Sequence, residues 1–237
     1  MDKSRLLVFD SGVGGISVYL KAVKTFPDIE FYYLSDGKNC PYGEKTSEEI
    51  GFLTLDILSR FNLSEFDGVI LACNSLSTCA FDFLSANLSV PVYPVLPPIG
   101  LKGKTALFCT RRTASSARVQ SLKTCYDVFA FVSLAKRIED GIFDLEKIKL
   151  SLPEGRYDNV ILGCTHYAFL SDRFAQAYPN SVIYDGTQEL FERLAHDFGV
   201  NRGFTPTFYP RFLPEKKHFL GENGLKNYQV FVKFANK

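Results

Sequence analysis

The stretch Val69-Ile-Leu-Ala-Cys-Asn-Ser75 has a counterpart in the second half of the chain, Val160-Ile-Leu-Gly-Cys-Thr-His166. Each stretch is an apolar run followed by one small residue, a cysteine and two polar residues. A short, continuous apolar run predicts a buried strand of a parallel sheet. Two copies of a cysteine at a strand end predict two pseudo-symmetric lobes that face each other across a cleft.

Strands and helices alternate on both sides of these two stretches. Apolar runs predict strands at 5–9, 30–34, 68–72, 92–95, 105–109, 128–132, 159–162 and 182–184. Helical spacing predicts helices at 16–25, 47–61, 76–86, 115–124, 170–178 and 189–198. Such alternation is typical of an α/β fold whose parallel sheets are covered by helices on both faces.

The proline-rich stretch Val90-Pro-Val-Tyr-Pro-Val-Leu-Pro-Pro98 is the strongest break in composition and indicates a boundary or hinge between the lobes. We therefore expect residues 1–97 and 208–237 to form a first lobe around Cys73. Residues 98–207 should form a second lobe around Cys164, and the active site should lie in the cleft. From residue 202 onward, the tail is predicted to cross over to a terminal strand and helix.

Composition limits the function classes. The 27 basic and 26 acidic side chains nearly balance, which argues against a nucleic-acid partner and against binding to a membrane surface. No apolar stretch is long enough to span a membrane, and the start of the chain does not resemble an export signal. We expect a cytoplasmic protein.

The six cysteines are Cys40, Cys73, Cys79, Cys109, Cys125 and Cys164. A chain of 237 residues can form a core without disulfides, so all six are interpreted as reduced thiols. The cysteines and the three histidines do not follow zinc-finger spacing, and no metal is expected.

Four predicted strand ends carry reactive or polar side chains, and in parallel sheets these ends form the active site. They are Asp10-Ser11-Gly12, Ser35-Asp36-Gly37, Cys73-Asn74-Ser75 and Cys164-Thr165-His166. The glycine-rich turn after Asp10 lacks the third glycine of the dinucleotide fingerprint, because Ser17 stands there. Taken singly, the turn after Asp10 is equally consistent with an anion-binding turn and with an ordinary tight turn. A buried cysteine beside a helix cap is the better explanation of Cys73-Asn74-Ser75 alone, and Cys164-Thr165-His166 alone could be an ordinary strand end.

The presence of two such cysteines favours a chemical interpretation. Racemisation removes a proton from one face of an α-carbon and returns one to the other face, so two acid/bases across a cleft suffice. A thiolate is attainable near neutral pH, especially beside a helix N-terminus. Cys73 and Cys164 are the candidate pair, and His166 is expected to hold or relay the proton of Cys164.

At these residues the chain resembles the glutamate racemases of the aspartate/glutamate racemase superfamily. The resemblance covers most of the chain, and four motifs carry it. They are Val8-Phe-Asp-Ser-Gly-Val-Gly-Gly15, Pro41-Tyr42-Gly43-x-Lys45, Ala72-Cys73-Asn74 and Gly163-Cys-Thr-His-Tyr167.

The resemblance implies that Cys73 and Cys164 are the catalytic bases, assisted by Asp10 and His166 respectively, with Glu139 near the second thiol. It implies substrate-binding roles for Ser11, Asp36, Tyr42, Gly43, Asn74, Ser75, Thr110, Thr113 and Thr165. It further implies no pyridoxal phosphate and no metal, glutamate as the small-molecule substrate, a role in supplying D-glutamate for peptidoglycan, and a homodimer.

Three alternatives remain open at this point. The chain could be a racemase for aspartate or a related amino acid, which a panel of amino acids would distinguish. It could be a non-catalytic binding protein on the same fold, although binding alone would not need both Cys73 and Cys164. A hydrolase with a single catalytic cysteine is disfavoured, because one thiol would have no role.

Overall fold

A computed structural model describes residues 3–200, which contain two four-stranded parallel sheets. The first sheet holds β1 (Arg5–Asp10), β2 (Glu30–Ser35), β3 (Gly68–Leu71) and β4 (Val92–Pro94), in the order β2-β1-β3-β4. The second holds β5 (Thr105–Thr110), β6 (Tyr126–Phe131), β7 (Asn159–Gly163) and β8 (Val182–Tyr184), in the order β6-β5-β7-β8. The strand order is the same in both sheets, so β3 and β7 occupy equivalent places. The predicted two-lobe α/β fold is confirmed.

Helices follow most of the strands and cover the sheets. The α-helices of the described residues are α1 (Ile16–Thr25), α2 (Ser47–Leu58), α3 (Asn74–Asn87), α4 (Arg111–Ser115), α5 (Ala117–Leu122), α6 (Leu134–Asp140), α7 (Ser171–Ala177) and α8 (Thr187–Asp197). Short 3-10 helices occupy Tyr42–Glu44 and Thr165–Leu170, each close to a predicted site residue. None of the described helices is long and apolar enough to cross a membrane.

The structure corrects two helix predictions. The helix predicted at 115–124 is two short helices, because Ser116 has an extended backbone and its hydroxyl accepts a hydrogen bond from Val119 N, which starts a new helix. Helix α6 was not predicted; it begins after Ser133, whose φ of 54° lies in the left-handed region. Helix α2 begins at Ser47, as predicted, and has Glu48 and Glu49 in its first turn. Its start is fixed by a capping box, in which the side chains of Thr46 and Glu49 each accept a hydrogen bond from the other residue's backbone N–H.

The core is continuous between the lobes. One apolar cluster contains Val8 and Ile70 of the first sheet together with Phe108, Val160 and Leu162 of the second. Strands β1, β3, β5 and β7 are buried along almost their whole length, which explains why each reads as an unbroken apolar run. The lobes are therefore held face to face by burial of apolar surface.

Helix α8 also joins the lobes, since Phe191 packs edge-on against Phe26 of the first lobe with ring centroids 5.5 Å apart. Lys21 of α1 forms an ion pair with Asp185, which follows β8. The division of the chain into 1–97 with 208–237 and 98–207 stays a prediction. Residues 201–237, including the predicted terminal strand and helix, lie outside the described residues.

Candidate active site

The carboxyl ends of four central strands bring polar side chains into the space between the sheets. Strand β1 ends at Asp10 and β5 ends at Thr110, while Cys73 and Cys164 follow β3 and β7. All four side chains are buried. Cys73 is also the residue before α3, where the first backbone N–H groups of the helix are free to bind an anion.

Hydrogen bonds connect the two lobes at this site. Thr165 Oγ1 lies 3.1 Å from Asp10 Oδ2 and donates to it. Ser75 Oγ, at the start of α3, lies 2.9 Å from Thr110 Oγ1 at the end of β5. The backbone N–H of Val13 donates to both carboxylate oxygens of Glu139, at 3.2 and 3.0 Å. The site is therefore built from both lobes.

The glycine-rich turn between β1 and α1 permits this close approach. A Cβ added at Gly12 would lie 2.4 Å from Cys40 Sγ and 2.6 Å from Glu139 Oε2. A Cβ at Gly14 would lie 2.4 Å from Thr165 Oγ1. Real Cβ atoms essentially never approach other atoms this closely, so a side chain at either glycine would have to displace its neighbours, which include Glu139 and Thr165 of the second lobe.

The first thiol lies against a carboxylic acid. Ser11 Oγ donates to Cys73 Sγ at 3.6 Å and lies 3.4 Å from Asp10 Oδ1, which also accepts from the N–H of Gly12 at 3.0 Å. Burial raises the pKa of Asp10 from 3.8 to about 6. Burial and the neighbouring Asp10 charge hold the pKa of the Cys73 thiol well above its ordinary value, so Cys73 rests as a thiol.

The second thiol lies against a buried ion pair. His166 Nδ1 is 3.9 Å from Cys164 Sγ, and His166 Nε2 is 2.5 Å from Glu139 Oε2. Burial opposes the imidazolium, but hydrogen bonds to Cys164, Cys40 and Glu139 outweigh it, and the pKa of His166 lies well above 6.5. Burial would raise the pKa of Glu139, but His166 lowers it below 4.5. His166 is therefore charged at neutral pH.

Hydroxyl and amide groups surround the two thiols. Ser75, Thr110 and Thr113 form a buried hydroxyl cluster, in which Thr113 Oγ1 lies 3.3 Å from Ser75 Oγ and 3.1 Å from Thr110 Oγ1. Asn74 is 2% exposed, and its Oδ1 has no hydrogen-bond partner among the described residues. A buried acceptor without a partner is rare in proteins and indicates a place where a ligand donates.

Three further predicted residues lie at the edge of this group. The Tyr42 hydroxyl donates to Asp36 Oδ2 at 2.8 Å, so these two side chains bind each other. Gly43 packs against the hydroxyl cluster, since a Cβ there would lie 2.8 Å from Thr110 Cβ. All fourteen predicted site residues thus lie in or beside the space between the lobes, and their individual roles stay predictions.

The sequence interpretation missed Cys40 and Tyr33. Cys40 lies beside Glu139 and His166, and ligand atoms of these three residues are all within 4.8 Å of one another. The Tyr33 hydroxyl donates to the carbonyl of Gly12. Cys40 immediately precedes Pro41-Tyr42-Gly43 and follows β2, a strand whose end faces the site, and that position was the available signal.

Two thiols lie at equivalent strand ends of two facing lobes, one near Asp10 and the other near His166, an arrangement expected of a racemase of the two-lobe α/β class. The chain is 32% identical to a glutamate racemase of Leptospira interrogans over 82% of this chain and 83% of that protein. It is 30% identical to a glutamate racemase of Campylobacter concisus over 83% of both chains. The chain belongs to the glutamate racemase family.

Solved structures agree with this assignment. The glutamate racemase of Thermus thermophilus, in complex with β-chloro-D-alanine, has a TM-score of 0.67 and 26% identity, covering 86% of this chain and 84% of that chain. That of Escherichia coli, in complex with L-glutamate and the activator UDP-MurNAc-Ala, has a TM-score of 0.68 and 26% identity over 82% of each chain. No family model matches the sequence. The chain is accordingly an isomerase, a glutamate racemase.

Proposed function

We propose that this chain racemises glutamate by a two-base mechanism in which Cys73 and Cys164 act on opposite faces of the α-carbon. The thiolate of one cysteine takes the α-proton, and the thiol of the other gives a proton to the opposite face. The C–H bond that breaks and the one that forms leave the substrate's charge unchanged, and the two cysteines exchange protonation states. The observation that carries this proposal is the equivalent placement of the two thiols after β3 and β7.

The environments of the two thiols differ. Cys73 rests as a thiol because it is buried beside Asp10. His166 Nδ1 faces Cys164 Sγ at 3.9 Å. In one direction of the proposed reaction Cys164 removes the proton and Cys73 donates one. After one turnover the roles are reversed, and the reverse reaction restores them.

The carbanion that develops at the α-carbon needs hydrogen-bond donors aimed at the substrate carboxylate. Ser75, Thr110 and Thr113 supply hydroxyls, and the start of α3 supplies backbone N–H groups. The unpartnered Oδ1 of Asn74 is a suitable acceptor for the substrate ammonium group. Ser11 and Thr165 complete the polar lining, while Asp36, Tyr42 and Gly43 support it.

The family indicates the biological setting. We infer that the product D-glutamate supplies peptidoglycan synthesis, and so cell-wall formation and cell shape, and that the protein works in the cytoplasm as a homodimer. Light scattering coupled to size-exclusion chromatography tests the dimer, and a monomer that retains full activity at assay concentration would contradict it.

The experiment that tests the mechanism follows the α-proton. Purified protein in deuterated buffer, without pyridoxal phosphate and with a chelator, should convert either enantiomer of glutamate into its mirror image. A two-base enzyme should place solvent deuterium in the product and leave unreacted substrate almost free of it at early times, because different groups remove and deliver the proton. Equal deuterium in substrate and product would contradict two bases.

A further inference from the structure

Cys40, Glu139 and His166 form a cluster beside the acid/base machinery, and we call it the thiol–imidazole cluster. Its residues come from three separate segments: the loop after β2, helix α6, and the turn after β7. One ligand atom from each residue lies within 4.8 Å of the other two. Racemisation as proposed above gives Cys40 no proton to transfer, so the position of this third thiol needs another explanation.

The cluster has the chemistry of a zinc site. Thiolate, imidazole and carboxylate are the side-chain ligands that zinc prefers, and three protein ligands leave a fourth position for water. Bond lengths of about 2.0–2.3 Å place the ligands of a tetrahedral zinc roughly 3.3–3.8 Å apart. The widest pair in the cluster would therefore close by about 1 Å, while Glu139 and His166, now 2.5 Å apart, would separate slightly.

We propose that the thiol–imidazole cluster binds a zinc ion, and that the bound zinc inhibits racemisation reversibly. The ion would take the place of the proton between Glu139 and His166, with Cys40 as its third protein ligand. Gly12 makes this possible, since a side chain at that position would occupy the space between Cys40 Sγ and Glu139 Oε2.

Charge balance favours zinc in a buried site. With zinc the cluster would hold a doubly charged cation, a thiolate, a carboxylate and a neutral imidazole, so that its net charge is zero. The metal would therefore place no net charge between the lobes.

Inhibition follows from the geometry of His166. Zinc bound to Nε2 would require this atom and Glu139 Oε2, now 2.5 Å apart, to separate. The imidazole ring would then leave its present position 3.9 Å from Cys164 Sγ, and the metal would hold it away from that thiol. This inhibitory step rests on the proposed role of Cys164, whereas metal binding by the cluster does not.

Cobalt(II) tests the binding separately from catalysis, because a thiolate bound to cobalt gives a charge-transfer absorption in the near ultraviolet. The full chain with Cys73→Ala and Cys164→Ala should bind one cobalt ion per chain and show this absorption, and zinc should displace it. Adding Cys40→Ala should abolish the absorption. The proposal would be overturned if the absorption persisted in the triple variant, which lacks Cys40. It would also be overturned if the absorption were absent in the double variant, in which Cys40 is the remaining site thiol.

Zinc inhibition tests the second half with the catalytic thiols in place. Zinc should lower kcat at least about tenfold, as expected when an acid/base group is disabled, and a chelator should restore it. In Cys40→Ser the apparent inhibition constant for zinc, measured against that variant's own zinc-free turnover, should rise at least about tenfold. Cys79→Ser, at a half-buried thiol outside the cluster, is the matched control and should stay zinc-sensitive.

A melting curve like that of the parent protein shows that the Cys40→Ser variant is folded. Cobalt binding that depends on Cys40 without any zinc inhibition would overturn the inhibitory half and would count against the proposed role of His166. Zinc inhibition that is unchanged in Cys40→Ser would place the metal elsewhere and overturn the whole proposal.

Discussion

Thr165 Oγ1 donates a hydrogen bond to Asp10 Oδ2 over 3.1 Å, and this bond joins the carboxyl ends of the two sheets. Asp10 ends β1 and is completely buried, whereas Thr165 follows β7. The carboxyl group that we propose to assist the first thiol is thus in contact with the second lobe. Its protonation responds to the contact between lobes, and burial is the main reason that its pKa is raised to about 6.

Asp10→Asn should stabilise the protein at neutral pH while it slows catalysis. A carboxyl pKa raised from 3.8 to about 6 means that the folded state holds its proton more tightly than the unfolded state. Stability is therefore lost as pH rises from 3.8 through 6, by up to about 3 kcal/mol. Asn carries no charge, so urea denaturation at pH 7.5 should show a gain of roughly 1–3 kcal/mol that disappears near pH 4.

Asp185→Asn is the matched control, with the opposite sign. Burial would raise the pKa of Asp185, but the neighbouring Lys21 lowers it, so this carboxylate stabilises the fold when charged. Its loss should destabilise the protein at pH 7.5 and leave turnover largely intact. A destabilised Asp10→Asn variant would show that the Asp10 carboxylate is a structural group.

All eight strands could be predicted from the sequence, and the four central ones most directly, because strands buried on both faces of parallel sheets read as apolar runs. Helix boundaries were harder to predict. Nothing in the local sequence required the interruption at Ser116, and α6 combines a left-handed start at Ser133 with a largely charged exposed face. These features depend on side-chain hydrogen bonds and on packing that a local pattern does not encode.

The sequence also predicted the two thiols, since Cys73 and Cys164 follow similar strands. It could not predict which polar groups meet across the cleft. The bond between Asp10 and Thr165 joins residues from different lobes, and only the docking of the lobes brings them together. The same holds for Cys40, whose neighbours Glu139 and His166 come from elements far along the chain.

Cys73→Ala and Cys164→Ala should each abolish racemisation, because each direction needs both a base and an acid. Cys109→Ala is the matched control: its thiol is fully buried on β5 and lies outside the proposed mechanism. It should lose stability and keep turnover. Chiral chromatography measures the conversion of one enantiomer into the other in each variant. Near-normal turnover in either Cys73→Ala or Cys164→Ala would rule out the two-base mechanism.

Asn74→Ala should lower kcat/KM by about 10²–10³-fold without lowering stability, the loss found when one hydrogen bond that stabilises a transition state is removed. Its Oδ1 is buried without a partner, and its Nδ2 reaches only the carbonyl of Val95 at 3.5 Å. Asn159→Ala gives the contrast, because Asn159 Nδ2 donates at 2.7 Å to the carbonyl of Lys102 and should matter for stability alone. Unchanged activity in Asn74→Ala would show that Asn74 serves only as the first residue of α3 and does not bind the substrate.

Glu139→Gln should destabilise the protein and shift its pH profile. The pKa of Glu139 is lower in the folded state, so its carboxylate stabilises the fold above pH 4.5, and this stabilisation is lost as pH falls through the pKa of the folded state. The pKa of His166 is higher in the folded state, so its imidazolium stabilises the fold below pH 6.5, and this stabilisation is lost as pH rises through the pKa of the folded state. The largest loss, about 3 kcal/mol as for a broken buried pair, should therefore fall between pH 4.5 and 6.5.

Without Glu139, burial should leave His166 neutral at pH 7 to 8, and the pH dependence of kcat should shift accordingly. Glu146→Gln, an exposed acid shortly after α6, is the matched control and should change neither curve. A Glu139→Gln variant with an unaltered pH profile of kcat would show that the ion pair does not govern the protonation of the site.

The two helper residues should bias the two directions of the reaction in opposite senses. Asp10 lies beside Cys73 and His166 beside Cys164, and each thiol is the base in one direction and the acid in the other. Loss of a helper affects donation and removal of a proton differently. Asp10→Asn and His166→Asn should therefore lower kcat unequally from L- and D-glutamate, and the direction that suffers more should differ between the variants.

Thermodynamics supplies an internal check on this measurement. Enantiomers have equal free energies in water, so the equilibrium constant is unity and kcat/KM must stay equal in both directions for every variant. A change in kcat must then be matched by a change in KM for the same enantiomer. Progress curves from pure L- and pure D-glutamate give all four constants. Proportional losses of kcat in both directions, in both variants, would show that Asp10 and His166 support the pocket without serving one thiol each.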